Sequence, residues 1–352
     1  MKKYTVLLST LLLIVIVYEL IYQGKVFKIS KNDIFYNELL QLGKNNVWKM
    51  LMLRTERIEP FYKEIFEISS FDIRNIKKID INLYTPKEWP SKNLVAYALS
   101  PGGKEIVFAI SERDGAFNLV YSLYILNIMD GNIRIILSPQ QSTEITKVCY
   151  FPDEKNIFFV GKVKKPKEAP NISQPDSLYK LNLKTKEITE LIHYGVFTIT
   201  SQSSSPNGKK IVYQKSSNLD KIFIYDLTTN ESSKLTDGNY ASWRPDGLKI
   251  SYYGQDGNYY LINADGSEKE LFILNKPIHK FKLIGAKIGY ISGELLWSPE
   301  GQYVYYERTS IKAFADVETY LPYIMKVSSK EERKLSNMLS GIKNWVGENK
   351  YK

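Results

Sequence analysis

The sequence predicts an all-β protein, a six-bladed β-propeller preceded by an N-terminal membrane helix. Three observations predict it. A Pro-containing turn recurs at five places, at spacings of 51, 54, 39 and 54 residues. A second pattern, carrying an aromatic residue, trails each copy. An uncharged apolar run opens the chain.

The apolar run comes first. Lys2 and Lys3 precede an uncharged stretch from Tyr4 to Tyr18, which continues through Glu19 to Tyr22 and so spans 19 residues. That is close to the ~20 residues a helix needs to cross a bilayer. A soluble core helix would show polar residues at every third or fourth position. The stretch Glu19-Leu20-Ile21-Tyr22-Gln23 has no small-residue cleavage pattern, and no Cys follows it for lipid attachment. An uncleaved signal-anchor over 1–24 is therefore expected, with residues 4–22 in the lipid bilayer. The expected arrangement is a single-pass cell-membrane protein with the remainder extracytoplasmic. Residues 25–57 read as a juxtamembrane helix or linker, and 58–352 as the propeller.

Composition agrees with strands. Of 352 residues, 43% are hydrophobic and 26 are Tyr, a strand-favouring residue. The formal net charge of +10 raises the expectation of an anionic partner, although the lysines are dispersed as solubilising residues usually are. Cys149 is the single cysteine, so no intramolecular disulfide forms; its apolar setting, "TKVCYFP", predicts a buried small hydrophobe.

The five turns are "LSPGGKEIVFA" from Leu99, "YFPDEKNIFFV" from Tyr150, "SSPNGKKIVYQ" from Ser204, "WRPDGLKISYY" from Trp243 and "WSPEGQYVYYE" from Trp297. Pro101, Pro152, Pro206, Pro245 and Pro299 share one column. Gly103, Gly208, Gly247 and Gly301 follow two residues later. Pro fixes φ near −65° and Gly supplies φ > 0, so each copy is a strand, a tight turn and a strand. The second copy has Glu154 in the Gly column, which predicts a looser turn. Beyond the turn come Ile106, Ile157, Ile211, Ile250 or Val304, then an aromatic two residues on.

The trailing pattern places Tyr124, Tyr179, Phe223, Tyr260 and Tyr323 in one column, followed by a polar turn and another short strand. That makes four strands per repeat, the size of a propeller blade. A lone blade cannot bury both faces, and a ring of blades does so. The sixth blade is expected from both chain ends: an inner strand at "GIKNWVG", where Trp345 aligns with Trp243 and Trp297, and outer strands within 59–84.

The "SPGGK", "SPNGK", "RPDG" and "SPEG" turns resemble the core of the WD40-like PD40 repeats of the TolB-like propeller family, over roughly residues 93–345. The resemblance is specific for fold and weak for function. Related propellers cap serine peptidases, but those require a G-x-S-x-G elbow, which this sequence lacks. Related polysaccharide lyases have His-rich metal centres. Here His193 and His279 are the two histidines, too few for a three-imidazole zinc site. No calcium loop of full spacing, P-loop or dinucleotide fingerprint occurs, so no metal or cofactor is expected. The Trp column reads as core between blades.

Two insertions depart from the blade pattern: "KVKKPKEAPNISQPDS", 162–177, and "NKPIHKFKLIGAKIGYIS", 275–292. Long loops on a rigid scaffold often carry binding. Lys162, Lys164, Lys165, Lys167, His279, Lys280 and Lys282 are the candidate binding residues. The expected function is a membrane-anchored binding, scaffold or sensor module for a protein or an anionic polymer, with no nucleic acid expected as partner. The alternative is a carbohydrate-active or other hydrolytic enzyme, with carboxylates roughly 5–10 Å apart in the funnel.

Overall fold

A computed structural model of the chain describes residues 49–58, 61–69, 77–86, 92–113, 119–163, 177–193, 198–216, 220–276, 279–280, 287–311, 318–335 and 342–346. The expected membrane helix and most of the juxtamembrane segment lie outside these residues. Among the described residues, no helix is long and apolar enough to cross a membrane.

Among the described residues the chain forms six four-stranded antiparallel sheets and one two-stranded ribbon. The chain first forms β1 (Lys49–Ile58), β2 (Phe61–Ser69) and β3 (Lys77–Pro86). The first complete blade is then β4 (Lys92–Leu99), β5 (Glu105–Arg113), β6 (Leu119–Asn127) and β7 (Ile133–Leu137). The second is β8 (Ser142–Tyr150), β9 (Asn156–Val163), β10 (Ser177–Asn182) and β11 (Ile188–Ile192). The third is β12 (Thr198–Ser204), β13 (Lys210–Ser216), β14 (Lys221–Asp226) and β15 (Glu231–Asp237). The fourth is β16 (Asn239–Trp243), β17 (Lys249–Tyr253), β18 (Tyr259–Asn263) and β19 (Glu270–Ile273). A two-stranded ribbon, β20 (His279–Lys280) and β21 (Lys287–Ile288), precedes the fifth blade. That blade is β22 (Ile291–Trp297), β23 (Tyr303–Ile311), β24 (Glu318–Lys326) and β25 (Glu332–Lys334). The last strand, β26 (Ile342–Val346), returns to β1 and completes a sheet of order β26-β1-β2-β3.

The ring is thus closed by strand pairing between the two ends of the propeller: Met50 lies opposite Trp345, and Lys49 opposite Val346. Closure removes two sheet edges that would otherwise be open. The sixth blade begins earlier than the sequence predicts. Lys49–Ile58 is a strand, so the linker boundary at 57 is corrected to before Lys49. The reason is compositional: "KMLMLR" consists of Met, Leu, Lys and Arg, all of which favour helices, and tertiary pairing overrides that preference.

Hydrophobic cores lie between blades. Ala96, Val107 and Ile125 of the first blade pack with Ile157, Phe159 and Leu181 of the second. Phe158, Val160 and Leu178 of the second meet Ile211 and Tyr213 of the third. Ile222 and Ile224 of the third meet Trp243 and Tyr252 of the fourth. Tyr259 and Leu261 of the fourth meet Trp297 and Tyr306 of the fifth. Leu51, Phe66 and Ile79 of the sixth meet Leu99, Ile106 and Phe108 of the first. Trp243, Trp297 and Trp345 are all buried, as a core role requires. The innermost strand pairing of each blade also carries a register shift, the mark of a β-bulge, which adds local twist.

The two aromatic columns meet directly across strands. Phe108 stacks on Tyr124, Phe159 on Tyr179, Tyr213 on Phe223, Tyr252 on Tyr260, and Tyr306 on Tyr323. Each pair is in register on the second and third strands of its blade. The repeated sequence therefore builds one stacked cross-strand pair per complete blade.

Candidate functional site

The Pro-containing turns lie between the first and second strands of the five complete blades and share one hydrogen-bond pattern. In the third blade Ser205 N donates to Lys210 O and Gly208 N to Ser205 O, both at 2.8 Å. The fifth repeats it with Ser298, Tyr303 and Gly301. Gly208 has φ 67°, where an L side chain is strained. Glu154 occupies the same position in the second blade at φ 54° and keeps both bonds, from Phe151 N to Asn156 O and from Glu154 N to Phe151 O. The turn is not looser for lack of Gly. The carboxylate of Glu154 accepts from Gly102 N in the first blade's turn, a partner that compensates the strained backbone. Successive turns touch elsewhere too: a Cβ on Gly208 would lie 3.9 Å from Pro152 Cδ, and one on Gly301 would lie 3.7 Å from Pro245 Cδ. The turns thus follow one another around one face of the ring.

On that face a cleft of about 540 Å³ opens between the second and third blades. One wall is the second blade, with Pro152, Lys180, Thr189 and Leu191. The other is the third, with Pro206, Asn207, Leu227 and Asn230. The cleft has a specific cause in the sequence. The residue after the aromatic column faces the next blade, and it is Ile125, Ile224, Leu261 or Ile324 in four blades, each nearly inaccessible. In the second blade that residue is Lys180, paired across the strands with Phe158 as Ile125 is with Val107. An aliphatic core position has become a cation at an inter-blade seam. Its ammonium group has no hydrogen-bond or ion-pair partner among the described residues.

Three further polar groups of the cleft, Asp153, Asn207 and Asn230, have defined orientations. Asp153 accepts from Lys155 N and Asn156 N through Oδ1, and from Asn156 Nδ2 through Oδ2, so both carboxylate oxygens are engaged in its own turn. Asn207 Oδ1 accepts from Lys209 N (3.0 Å) and Ser205 Oγ (2.7 Å). A backbone N–H can only donate, so this fixes the amide and leaves Asn207 Nδ2 as the outward group. Burial raises the Tyr225 phenol, which stays protonated and donates to Asn230 Oδ1 at 3.2 Å. Asn230 likewise presents its Nδ2.

Among the candidate residues from the two insertions, Lys162 does not line this cleft. Lys162 lies within β9 instead of a loop and pairs with Glu144 at 2.6 Å, its side chain 18% exposed. His279 and Lys280 form β20, opposite Ile288 and Lys287. Lys164, Lys165, Lys167 and Lys282 lie outside the described residues. His193 directly follows β11, and its Nδ1 is 2.8 Å from Glu190 Oε1, which also accepts from Ser177 Oγ at 2.6 Å. Serine and imidazole thus share one carboxylate oxygen, and the ring is not placed between Ser and Glu as nucleophile activation requires. Cys149 is half-buried in β8. Among the described residues, no group of three or more His, Cys, Asp or Glu side chains is placed to hold a metal ion.

No protein-family model and no curated protein sequence matches the chain. Solved structures do. A chain of a nidogen/laminin complex matches at 10% identity over 86% of this chain and 98% of its own, with a TM-score of 0.53. This likeness supports the propeller fold and nothing finer. This chain resembles, in its turns and its ring, the TolB-like PD40-repeat propellers. TolB from Acinetobacter baumannii matches at 15% identity over 82% of this chain and 69% of its own, with a TM-score of 0.48. An oligogalacturonate lyase in complex with manganese matches at 14% identity over 82% and 73%, with a TM-score of 0.49.

Proposed function

We propose that this protein is a binding module, a propeller tethered to the membrane by its N-terminal segment and engaging a protein partner on its turn-bearing face outside the cytoplasm. The observation that carries the reading is the cleft between the second and third blades, where Lys180, without a partner among the described residues, replaces a core aliphatic. A stability-driven sequence would fill that seam, because an aliphatic there buries apolar surface at about 25 cal/mol per Å². A rigid scaffold with one opened seam and outward amides is what a binding site needs. The nidogen/laminin likeness accords with it, since that propeller belongs to a complex between proteins. The basic residues Lys164, Lys165, Lys167 and Lys282 are proposed to add attraction for an anionic surface.

Site-specific photo-crosslinking in native membranes tests this. A photoreactive residue at Thr189, inside the cleft, should capture a discrete partner, whereas one at Glu231, exposed on β15, should not. Equal labelling at both positions, or none at Thr189, rejects the reading. Retention of the protein in membranes after alkaline extraction, with an intact mass that includes residues 1–24, tests the tether.

A further inference from the structure

The cleft is asymmetric in its hydrogen-bonding capacity. Asp153, its carboxylate, has both oxygens engaged. Asn207 and Asn230 have their carbonyl oxygens engaged and present N–H groups. Lys180 adds an ammonium, and Thr189 a hydroxyl on an exposed position. Among the described residues Asn156 Oδ1 is a buried acceptor without a partner, and Asp153 Oδ2 and the Thr189 oxygen keep acceptor capacity, but donors outnumber these acceptors and Lys180 among them carries a full positive charge. Leu191, Leu227, Pro152 and Pro206 supply apolar wall between them.

We infer that this cleft binds a carboxylate-bearing ligand, with the Lys180 ammonium as counter-ion and the Asn207 and Asn230 amides as further donors. This rests on the reading of the cleft as a binding site. A carboxylate presents two oxygens with about four acceptor positions and one charge, which suits one ammonium flanked by neutral donors. A phosphate dianion needs more positive charge or a nest of backbone N–H groups. Here the turn N–H groups of Gly208 and Lys209 are already bonded to Ser205 O and Asn207 Oδ1. The volume, about 540 Å³, falls within the ~300–1,000 Å³ of small-ligand pockets, enough for the last residues of a peptide or for a small organic acid.

The test measures binding to the full-length protein in nanodiscs by calorimetry, with N-acetyl-Ala-Ala-Phe bearing a free carboxyl terminus, its C-terminal amide, phenylpropionate and phenyl phosphate. The free-acid peptide or phenylpropionate should bind, and the peptide acid should bind about tenfold or more tightly than the amide, as expected for loss of a charge-assisted pair. Phenylpropionate binding as tightly as the peptide acid marks a small acid as the source; weaker binding marks a peptide terminus. Lys180→Ile, which restores the aliphatic column, should abolish acid binding while the melting temperature holds or rises. Lys180→Arg should retain binding. Acid and amide binding equally, phenyl phosphate binding more tightly than the acids, or Lys180→Ile binding like wild type overturns the carboxylate assignment. If Leu191→Arg also abolishes that charge-independent binding, the cleft survives as a site and the carboxylate alone is wrong. No binding by any of the four probes overturns both.

Discussion

Tyr306 and Tyr323 face each other across β23 and β24 with ring centroids 6.2 Å apart and planes 3° from parallel. Arg308 lies over both rings, at 5.3 and 5.5 Å, and its guanidinium is held by both oxygens of Glu332 and by Gly289 O. The pair therefore forms one unit with a buried cation that is bonded through both of its terminal nitrogens.

Removing the inner member should be costly. Tyr306→Ala is expected to destabilise by about 3–5 kcal/mol, since the residue is fully buried, and Tyr323→Ala by less. The double mutant should show a coupling of about 0.5–1.5 kcal/mol. Urea unfolding of the four proteins measures it; additivity within error would mean that the stack adds nothing beyond burial.

Ring closure depends on β26. Deleting residues 338–352 removes it and exposes the β1 edge. The expected loss is several kcal/mol, out of the ~5–15 kcal/mol typical of a domain. Thermal melting with light scattering reads it. A deletion that melts at the parent temperature rules the closure out as a stabilising element.

The turns give a paired comparison. Gly301→Ala should cost about 1–2 kcal/mol from its φ of 69° alone, because the added Cβ meets Pro245 at an ordinary 3.7 Å. Glu154→Gly relieves a similar strain but loses the bond from Gly102 N, so its stability should stay within about 1 kcal/mol of the parent. Denaturation midpoints decide; a harmless Gly301→Ala would mean that the turn tolerates strain.

Acid stability carries a signature at Asp226. The Thr228 hydroxyl and amide both donate to it and hold its carboxyl at about 2. An unfolded Asp titrates near 3.9. The folded value is the lower one, so this contribution is present above pH ~4 and is lost as pH falls towards ~2. Asp226→Asn should flatten stability against pH within that window and leave the slope near pH 7 unchanged. An unaltered acid slope would show that Thr228 does not hold the carboxylate.

Much of this architecture is legible in the residues themselves. Pro and Gly announce backbone geometry locally, so Pro206 and Gly208 mark their turn without any tertiary knowledge. The aromatic columns are visible too, but the meeting of Phe159 with Tyr179 needs the strand register, which no single strand encodes. Lys180 shows the same boundary. Its place after Tyr179 can be read from the repeat, yet its meaning depends on knowing that this column faces the neighbouring blade. Glu154 misleads because its compensating partner, Gly102, lies in another repeat. The basic insertions stood out by composition, and Lys162 proved to be a strand residue paired with Glu144.

The pairing of Met50 with Trp345 also sets a timetable for synthesis. About 295 residues separate the two, so at roughly 5–20 residues per second the first strand waits on the order of 15–60 s for its mate to leave the ribosome. During that interval the strand that begins the circle has one side unclaimed. Premature termination anywhere upstream of residue 342 produces a molecule in which nothing can fasten the opening.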